Sequence, residues 1–183
     1  MESLLSTHAH PSRSFTTAAM ALRALAVSSV IALSACSHDG LAPKLHIGDA
    51  VPLSHNRVLA PGEDWRRVTT MDTRVRLYRW RIAELVQQRQ PFIVVFGTPQ
   101  HCTSCVDQLS RVAQVEEQYG ERFAFVHVDG YKDNAVWVEW GIKGEPWTFV
   151  VDRKGRVRQV FAGQTETALL EREVRALLAE RAS

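Results

Sequence analysis

The feature that most constrains this chain is the run PFIVVFGTPQHCTSC at residues 91–105. An apolar, β-branched strand ends in a short loop, and the loop delivers Cys102 and Cys105 three positions apart. The residues after it, VDQLSRVAQVEEQYG, have helical spacing. Val106, Leu109 and Ala113 share one face, and Gly120 stands where a left-handed C-terminal cap is expected. Both sulfurs then lie at the start of a helix, close enough to bridge. Strand, CxxC and helix in that order is the arrangement used for thiol–disulfide exchange.

A third cysteine indicates where such chemistry would happen. Residues 22–36, LRALAVSSVIALSAC, carry an apolar run after Arg23 that ends at Cys36. The run falls short of the about 20 apolar residues that a transmembrane helix needs. A basic flank, an apolar middle and small residues at the end are instead the parts of a secretory signal. A cysteine directly after Leu33-Ser34-Ala35 resembles the bacterial lipoprotein signal, whose cysteine becomes the lipidated first residue. The plainer alternative is an ordinary signal with a chance cysteine. Residues 1–19 form a Ser/Thr/His-rich lead, which leaves Met1 and Met20 as alternative starts. The expected organisation is a signal over 1–35, a lipid-anchored tether and irregular segment over 36–62, and one domain over 63–183.

Lipidation of Cys36 leaves Cys102 and Cys105 as the only two free cysteines of the mature chain. One bridge spanning two residues removes little unfolded-state entropy, so a stability role is weak and a reactive role is favoured. The 148 residues from Cys36 onward (183 less the 35 before it) suffice for one core but not two. Lys plus Arg number 22 against 20 Asp plus Glu, and loss of Arg13, Arg23 and Glu2 with the signal leaves an excess of one. Near-neutral charge makes no case for nucleic acid. The charge is uneven, however. Arg66, Arg67, Arg74, Arg76, Arg79 and Arg81 fall within sixteen residues, either as a solvated face or as a surface for anionic lipid or an acidic partner.

Coarse patterning places the other elements. Ser37 to Pro61 is broken by Gly and Pro; Arg74–Tyr78 alternates like an edge strand; Trp80–Gln90 has helical spacing. Arg122–Asp129 reads as a second strand, Lys132–Trp140 as a short helix closed by Gly141, and Thr148–Asp152 as a third strand. Arg153-Lys154-Gly155 forms a turn, Val157–Phe161 returns antiparallel, and Thr165 caps a final helix bearing Leu169, Leu170, Val174, Leu177 and Leu178. The fold class is α/β, a central mixed sheet with helices on both faces.

Over residues 80–183 the chain resembles the thioredoxin superfamily, and in character its membrane-anchored or lipoprotein members of the bacterial envelope. Three motifs in order carry the resemblance. They are strand–CxxC–helix at 91–119, the loop Gly141-Ile142-Lys143-Gly144-Glu145-Pro146-Trp147-Thr148, and the hairpin Val150-Val151-Asp152-Arg153-Lys154-Gly155. The loop matches the family's Gly-Ile-x-Gly-x-Pro-Thr with one residue inserted before the threonine. There are departures. His101 replaces the usual tryptophan, Thr103-Ser104 replaces Gly-Pro, and Val94, Val95 and Phe96 offer no counterpart to the family's buried acid. The 12-residue step from Asp129 to Gly141 leaves no room for the larger central insertion of several envelope thioredoxins.

The resemblance implies a thiol–disulfide oxidoreductase needing no cofactor. Cys102, at a helix N-terminus, acts as nucleophile, and the more buried Cys105 resolves the mixed disulfide. His101, Thr103, Ser104 and Glu145 would tune the sulfurs. Glu145, a cis Pro146 and Trp147 would receive an extended substrate, and Glu145 is a candidate proton donor in place of the missing acid. Each has a plainer reading: His101 as a solvated loop residue, Glu145 as a surface charge, Trp137, Trp140 and Trp147 as core, Thr103 and Ser104 as caps. The implied partners are protein disulfides or dithiols and a membrane electron donor. Attachment through a lipid and a monomeric state are also expected. The expected location is the envelope, facing the periplasm. Ser37 after the anchor, in place of the aspartate of inner-membrane retention, leans the destination to the outer membrane. Two other functions stay open. The pair could bind Zn or Cu(I) with His101, His38, His46, His55 or His127, although the lack of a second Cys pair counts against this. Alternatively, a redox-silent lipoprotein could use the fold and its arginine face for binding.

Overall fold

A computed structural model describes residues 43–71 and 76–180. Cys36, His38, Arg74 and the whole expected signal lie outside these residues. Eight regular elements follow a short 3-10 turn at Trp65–Arg67. They are α1 (Ile82–Gln87), β1 (Phe92–Phe96), α2 (Thr103–Tyr119), β2 (Ala124–Val128), α3 (Asn134–Trp140), β3 (Trp147–Val151), β4 (Val157–Ala162) and α4 (Thr167–Ala179). The sheet runs β2-β1-β3-β4. β1 pairs parallel with β2, whereas β3 lies antiparallel to both β1 and β4. The mixed sheet expected from the sequence is present.

Two-residue alternation along β1 divides the core. Phe92, Val94 and Phe96 join Ile82 and Leu85 of α1 and Val136 and Trp140 of α3 on one face. Ile93 and Val95 join Leu109, Val112 and Val115 of α2 and Leu170, Val174 and Leu177 of α4 on the other. All five β1 side chains are fully buried, so the strand reads as a continuous apolar run, as a strand covered by helices on both faces should.

Several boundaries differ from the patterning. α1 begins at Ile82, whose N–H is taken by the side chain of Asn56 at 2.8 Å, and the chain leaves the helix through Arg89 at φ 54°. Residues 76–78 turn and are not an edge strand; Leu77 offers β2 one carbonyl, accepting from His127 N–H at 3.0 Å. Gly120 closes α2 with right-handed angles (φ −62°), not left-handed ones. Glycine is favoured there for space, because a Cβ would lie 2.6 Å from the Glu116 carbonyl oxygen and would also meet its carboxylate. Gly141 does supply a left-handed cap to α3, at φ 65°. α3 starts later than expected because Lys132 and Asp133 donate back to the Asp129 carbonyl at 3.0 and 2.9 Å. Thr165 does not cap α4. It is buried, and its N–H goes to the Gln108 side chain at 2.7 Å, leaving Glu166 at the cap position.

The irregular segment before α1 is docked on the domain. Leu45 and Val51 enter the core, and Gly48 and Val51 donate to the carbonyls of Val157 and Gly155. Ser54 accepts from Trp140 Nε1 at 3.0 Å and donates to Glu139 at 2.5 Å. The described arginines of the basic stretch are ion-paired. Arg66 meets Asp64, Arg67 meets Glu63, Arg76 meets Glu116 and Glu121, Arg79 meets Glu116, and Arg81 meets Glu84. That pattern is a solvated, self-neutralised face. Among the described residues no helix is long and apolar enough to cross a membrane.

Candidate active site

β1 ends beneath the first turn of α2, and that junction holds a disulfide between Cys102 and Cys105, with Cα atoms 5.2 Å apart. Cys102 is the N-cap of α2. Its sulfur accepts the Cys105 N–H at 3.1 Å and lies 3.3 Å from Ser104 Oγ. Those contacts, with the free amides and dipole of a seventeen-residue helix, favour negative charge on this sulfur. Cys102 is half-buried, whereas Cys105 is sealed. In this oxidised state the pair is therefore asymmetric, with one sulfur open to a partner and one shielded from solvent behind it, near Glu145. Thr103 is exposed, and the hydroxyl near sulfur belongs to Ser104.

The loop before β3 brings Glu145 to the same place. Ligand atoms of Cys102, Cys105 and Glu145 lie within 4.8 Å of one another. The carboxylate accepts the Thr98 N–H at 2.5 Å and bonds His101 Nε2 at 2.7 Å. Its side chain is only 17% exposed, against 49% for His101. His101 also stands against the Tyr131 ring, 5.2 Å between centroids. The Glu145–Pro146 peptide is cis, and Pro146 is buried. Trp147 is half-buried at the head of β3, in register with Phe96. An acid thus reaches the pair from the loop and not from β1, where Val94, Val95 and Phe96 leave no polar group.

Behind Cys105 stands a second polar assembly, of which the sequence pointed only to His127, and to that as a possible metal ligand. Gly97 packs so closely on this cysteine that a Cβ there would lie 3.1 Å from its Cβ and 3.2 Å from its sulfur. The Gly97 carbonyl accepts from His127 Nε2 at 2.9 Å, which leaves His127 Nδ1 to accept from the Tyr78 hydroxyl at 2.6 Å. Burial pushes His127 down to about 4, against partial support from the Gly97 carbonyl, Asp129 and Glu145, so its imidazole is neutral at ordinary pH. Burial likewise raises the Tyr78 phenol. Beside them Asp129 accepts from Thr69 Oγ1, from the N–H and hydroxyl of Thr70, and from Tyr131 N–H. The signal in the sequence was a histidine interrupting the apolar run FAFVHV, followed by an aspartate. With both ring nitrogens engaged, His127 is not a free metal ligand. His46 and His55 are exposed and outside the cysteine cluster.

A thioredoxin-like domain model matches residues 78–178, more than half of the chain. This protein belongs to the thioredoxin-like family. No curated protein matches it in sequence. Among solved structures it is similar to a thioredoxin of Fasciola hepatica (21% identity, 50% of this chain and 88% of that one, TM-score 0.44). A thioredoxin-family thiol:disulfide interchange protein of Chlorobium tepidum TLS gives 22% identity, 55% and 86% coverage, and a TM-score of 0.43. A thioredoxin of Nicotiana alata gives 18%, 52% and 80%, and 0.46. A thioredoxin-like domain carrying a CxxC pair of unequal exposure is the machinery of a thiol–disulfide oxidoreductase.

Proposed function

We propose that this thioredoxin-like protein is a lipid-anchored reductase of the bacterial envelope that opens disulfides of exported proteins. One observation carries the reading: Cys102 is the accessible sulfur, held at the mouth of α2 by the Cys105 amide, while Cys105 is buried beside a carboxylate. In the reduced pair the Cys102 thiolate attacks one sulfur of a partner disulfide. That S–S bond breaks, its other sulfur leaves as a thiolate and takes a proton, and a mixed disulfide forms. Cys105 then gives its proton to Glu145 and attacks the Cys102 sulfur. The second partner sulfur leaves and takes the proton from Glu145, so the partner is reduced by two electrons and the 102–105 pair is oxidised to its disulfide. A membrane dithiol donor returns two electrons and two protons. The anchor is Cys36, which follows Leu33-Ser34-Ala35, and Ser37 leans its destination to the outer membrane. The protein works as a monomer facing the periplasm.

Equilibrating the full-length protein in glutathione or dithiothreitol buffers, with thiol trapping, gives the reduction potential of the pair. A value near about −270 mV, thioredoxin's range, is expected. One near about −120 mV, the range of a strong disulfide donor, overturns the reductase direction. Replacing the resolving cysteine, Cys105→Ser, should accumulate mixed disulfides on Cys102. For the anchor, Cys36→Ala should move the protein from the membrane fraction to the soluble one.

A further inference from the structure

We infer that the reduced pair, together with Glu145 and His101, forms a thiol-gated Zn2+ site at the tip of α2. The inference rests on the pair opening to a dithiol, as the proposed function requires, and adds a ligand that function does not use. Cys102, Cys105 and Glu145 each bring one ligand atom within 4.8 Å of the others. Around a tetrahedral Zn2+, with sulfur at about 2.3 Å and oxygen at about 2.0–2.2 Å, neighbouring donors stand roughly 3.5–4 Å apart. Opening the disulfide separates the two sulfurs toward that spacing.

The fourth donor has to swing in. His101 stands outside the three-residue cluster, but its Nε2 is 2.7 Å from the Glu145 carboxylate on a half-exposed ring, so a cation drawn between them replaces a hydrogen bond with two metal bonds. Glu145 has the capacity for this. A carboxylate offers about four lone-pair sites, of which Thr98 N–H and His101 occupy two. The Thr98 amide, at 2.5 Å, also fixes the carboxylate from outside the ligand shell, as good metal sites require. Two thiolates, one imidazole and one carboxylate make a zinc donor set; the hard carboxylate turns it away from Cu(I).

The gate follows from charge. Zn2+ displaces the two thiol protons to solvent and no electron moves, so binding needs the dithiol and the oxidised pair offers no anionic sulfur. An occupied site in turn holds both thiolates away from partner disulfides. The fold thereby carries a means of storing the reduced pair unreacted.

The test uses full-length protein, reduced or oxidised, with thiols counted first. Zn2+ is then competed against a chromophoric chelator, and Co2+ serves as the spectroscopic stand-in. We expect one Zn2+ per reduced chain, binding at least about 100-fold weaker to oxidised chain, and a tetrahedral thiolate spectrum with Co2+. Glu145→Ala and His101→Ala should each weaken Zn2+ by about tenfold or more. His101→Ala alters an exposed side chain, so its result stands even if Glu145→Ala folds poorly. Wild-type affinity in the His101 variant, or equal binding by oxidised chain, overturns the four-donor site. Two titrating thiols without Zn2+ binding sink the metal site alone. If no thiols can be liberated, the oxidoreductase reading fails along with the metal site.

Discussion

Two polar assemblies flank the same disulfide, and they differ in almost every physical respect. The outer one, Thr98–Glu145–His101, reaches solvent through a half-exposed imidazole and the exposed Tyr131. The inner one, Tyr78–His127–Gly97, is sealed between β2 and the 76–78 turn. A group in the outer set can pass a proton to water or meet a partner. A group in the inner set can do neither, and every polar atom named there has its partner. The pair thus has a reactive side and a supporting side. The outer assembly handles charge on sulfur, and the inner one fixes the backbone against which Cys105 rests.

The largest effect should come from breaking the inner side. His127→Leu leaves the Gly97 carbonyl buried without a partner and strips the Tyr78 hydroxyl of its partner at 2.6 Å, with only Thr69 left beside it, each loss costing about 1–3 kcal/mol. We expect a total loss of about 3–4 kcal/mol, read from urea unfolding of the oxidised protein. A loss below about 1 kcal/mol would mean that the inner assembly does not support the fold.

The next effect, somewhat smaller, is pH dependence. An unfolded histidine takes its proton near about 6.5, whereas buried His127 refuses one until about 4. Between those values the unfolded chain binds more protons, so stability rises with pH in that window and is lost as pH falls through it. The contribution is fully present above about 6.5, and its loss reaches about 2–3 kcal/mol by the time His127 itself protonates. Unfolding free energies from pH 7.5 to 4 should therefore fall more steeply in wild type than in His127→Leu. Parallel curves would remove His127 as the cause.

Which side could be read from sequence follows from the same contrast. Cys102, Cys105, His101, Glu145 and Pro146 sit in contiguous motifs, CxxC and the loop before β3, whose spacing is visible along the chain. The sheet was legible because β1 and β2 are short apolar runs and Gly155 punctuates the hairpin. The inner side was not legible as a site. It joins Tyr78, Gly97 and His127 from three separate segments, and only tertiary packing brings them together. Gly120 teaches a related point: glycine was expected there for a left-handed φ, but the requirement is the space taken by Glu116. Composition names the residue, and only the packing says which of its properties is used.

Gly97→Ala tests the contact between the inner assembly and the sulfurs. A methyl 3.1 Å from the Cys105 Cβ has little room to relax, since that atom is fixed on the first turn of α2. We expect about 1–2 kcal/mol of destabilisation from overpacking. We also expect slower resolution of mixed disulfides, measured by single-turnover kinetics. Unchanged stability with unchanged resolution would show that β1 can slide away from the helix at no cost.

The smallest expected effect belongs to the outer side. His101→Ala removes a half-exposed ring whose bond to Glu145 is open to water, so stability should change by less than about 0.5 kcal/mol. Exchange should still slow. Without His101 the Glu145 carboxylate near both sulfurs loses its partner, and its charge opposes the Cys102 thiolate more strongly. Losing about 0.5–1 kcal/mol of such compensation corresponds to about a two- to fivefold lower rate of attack on a model disulfide. A stability loss comparable to that of His127→Leu would erase the distinction between the two sides. A rate loss without a stability loss would confirm that the outer assembly acts on the sulfurs and the inner one on the fold.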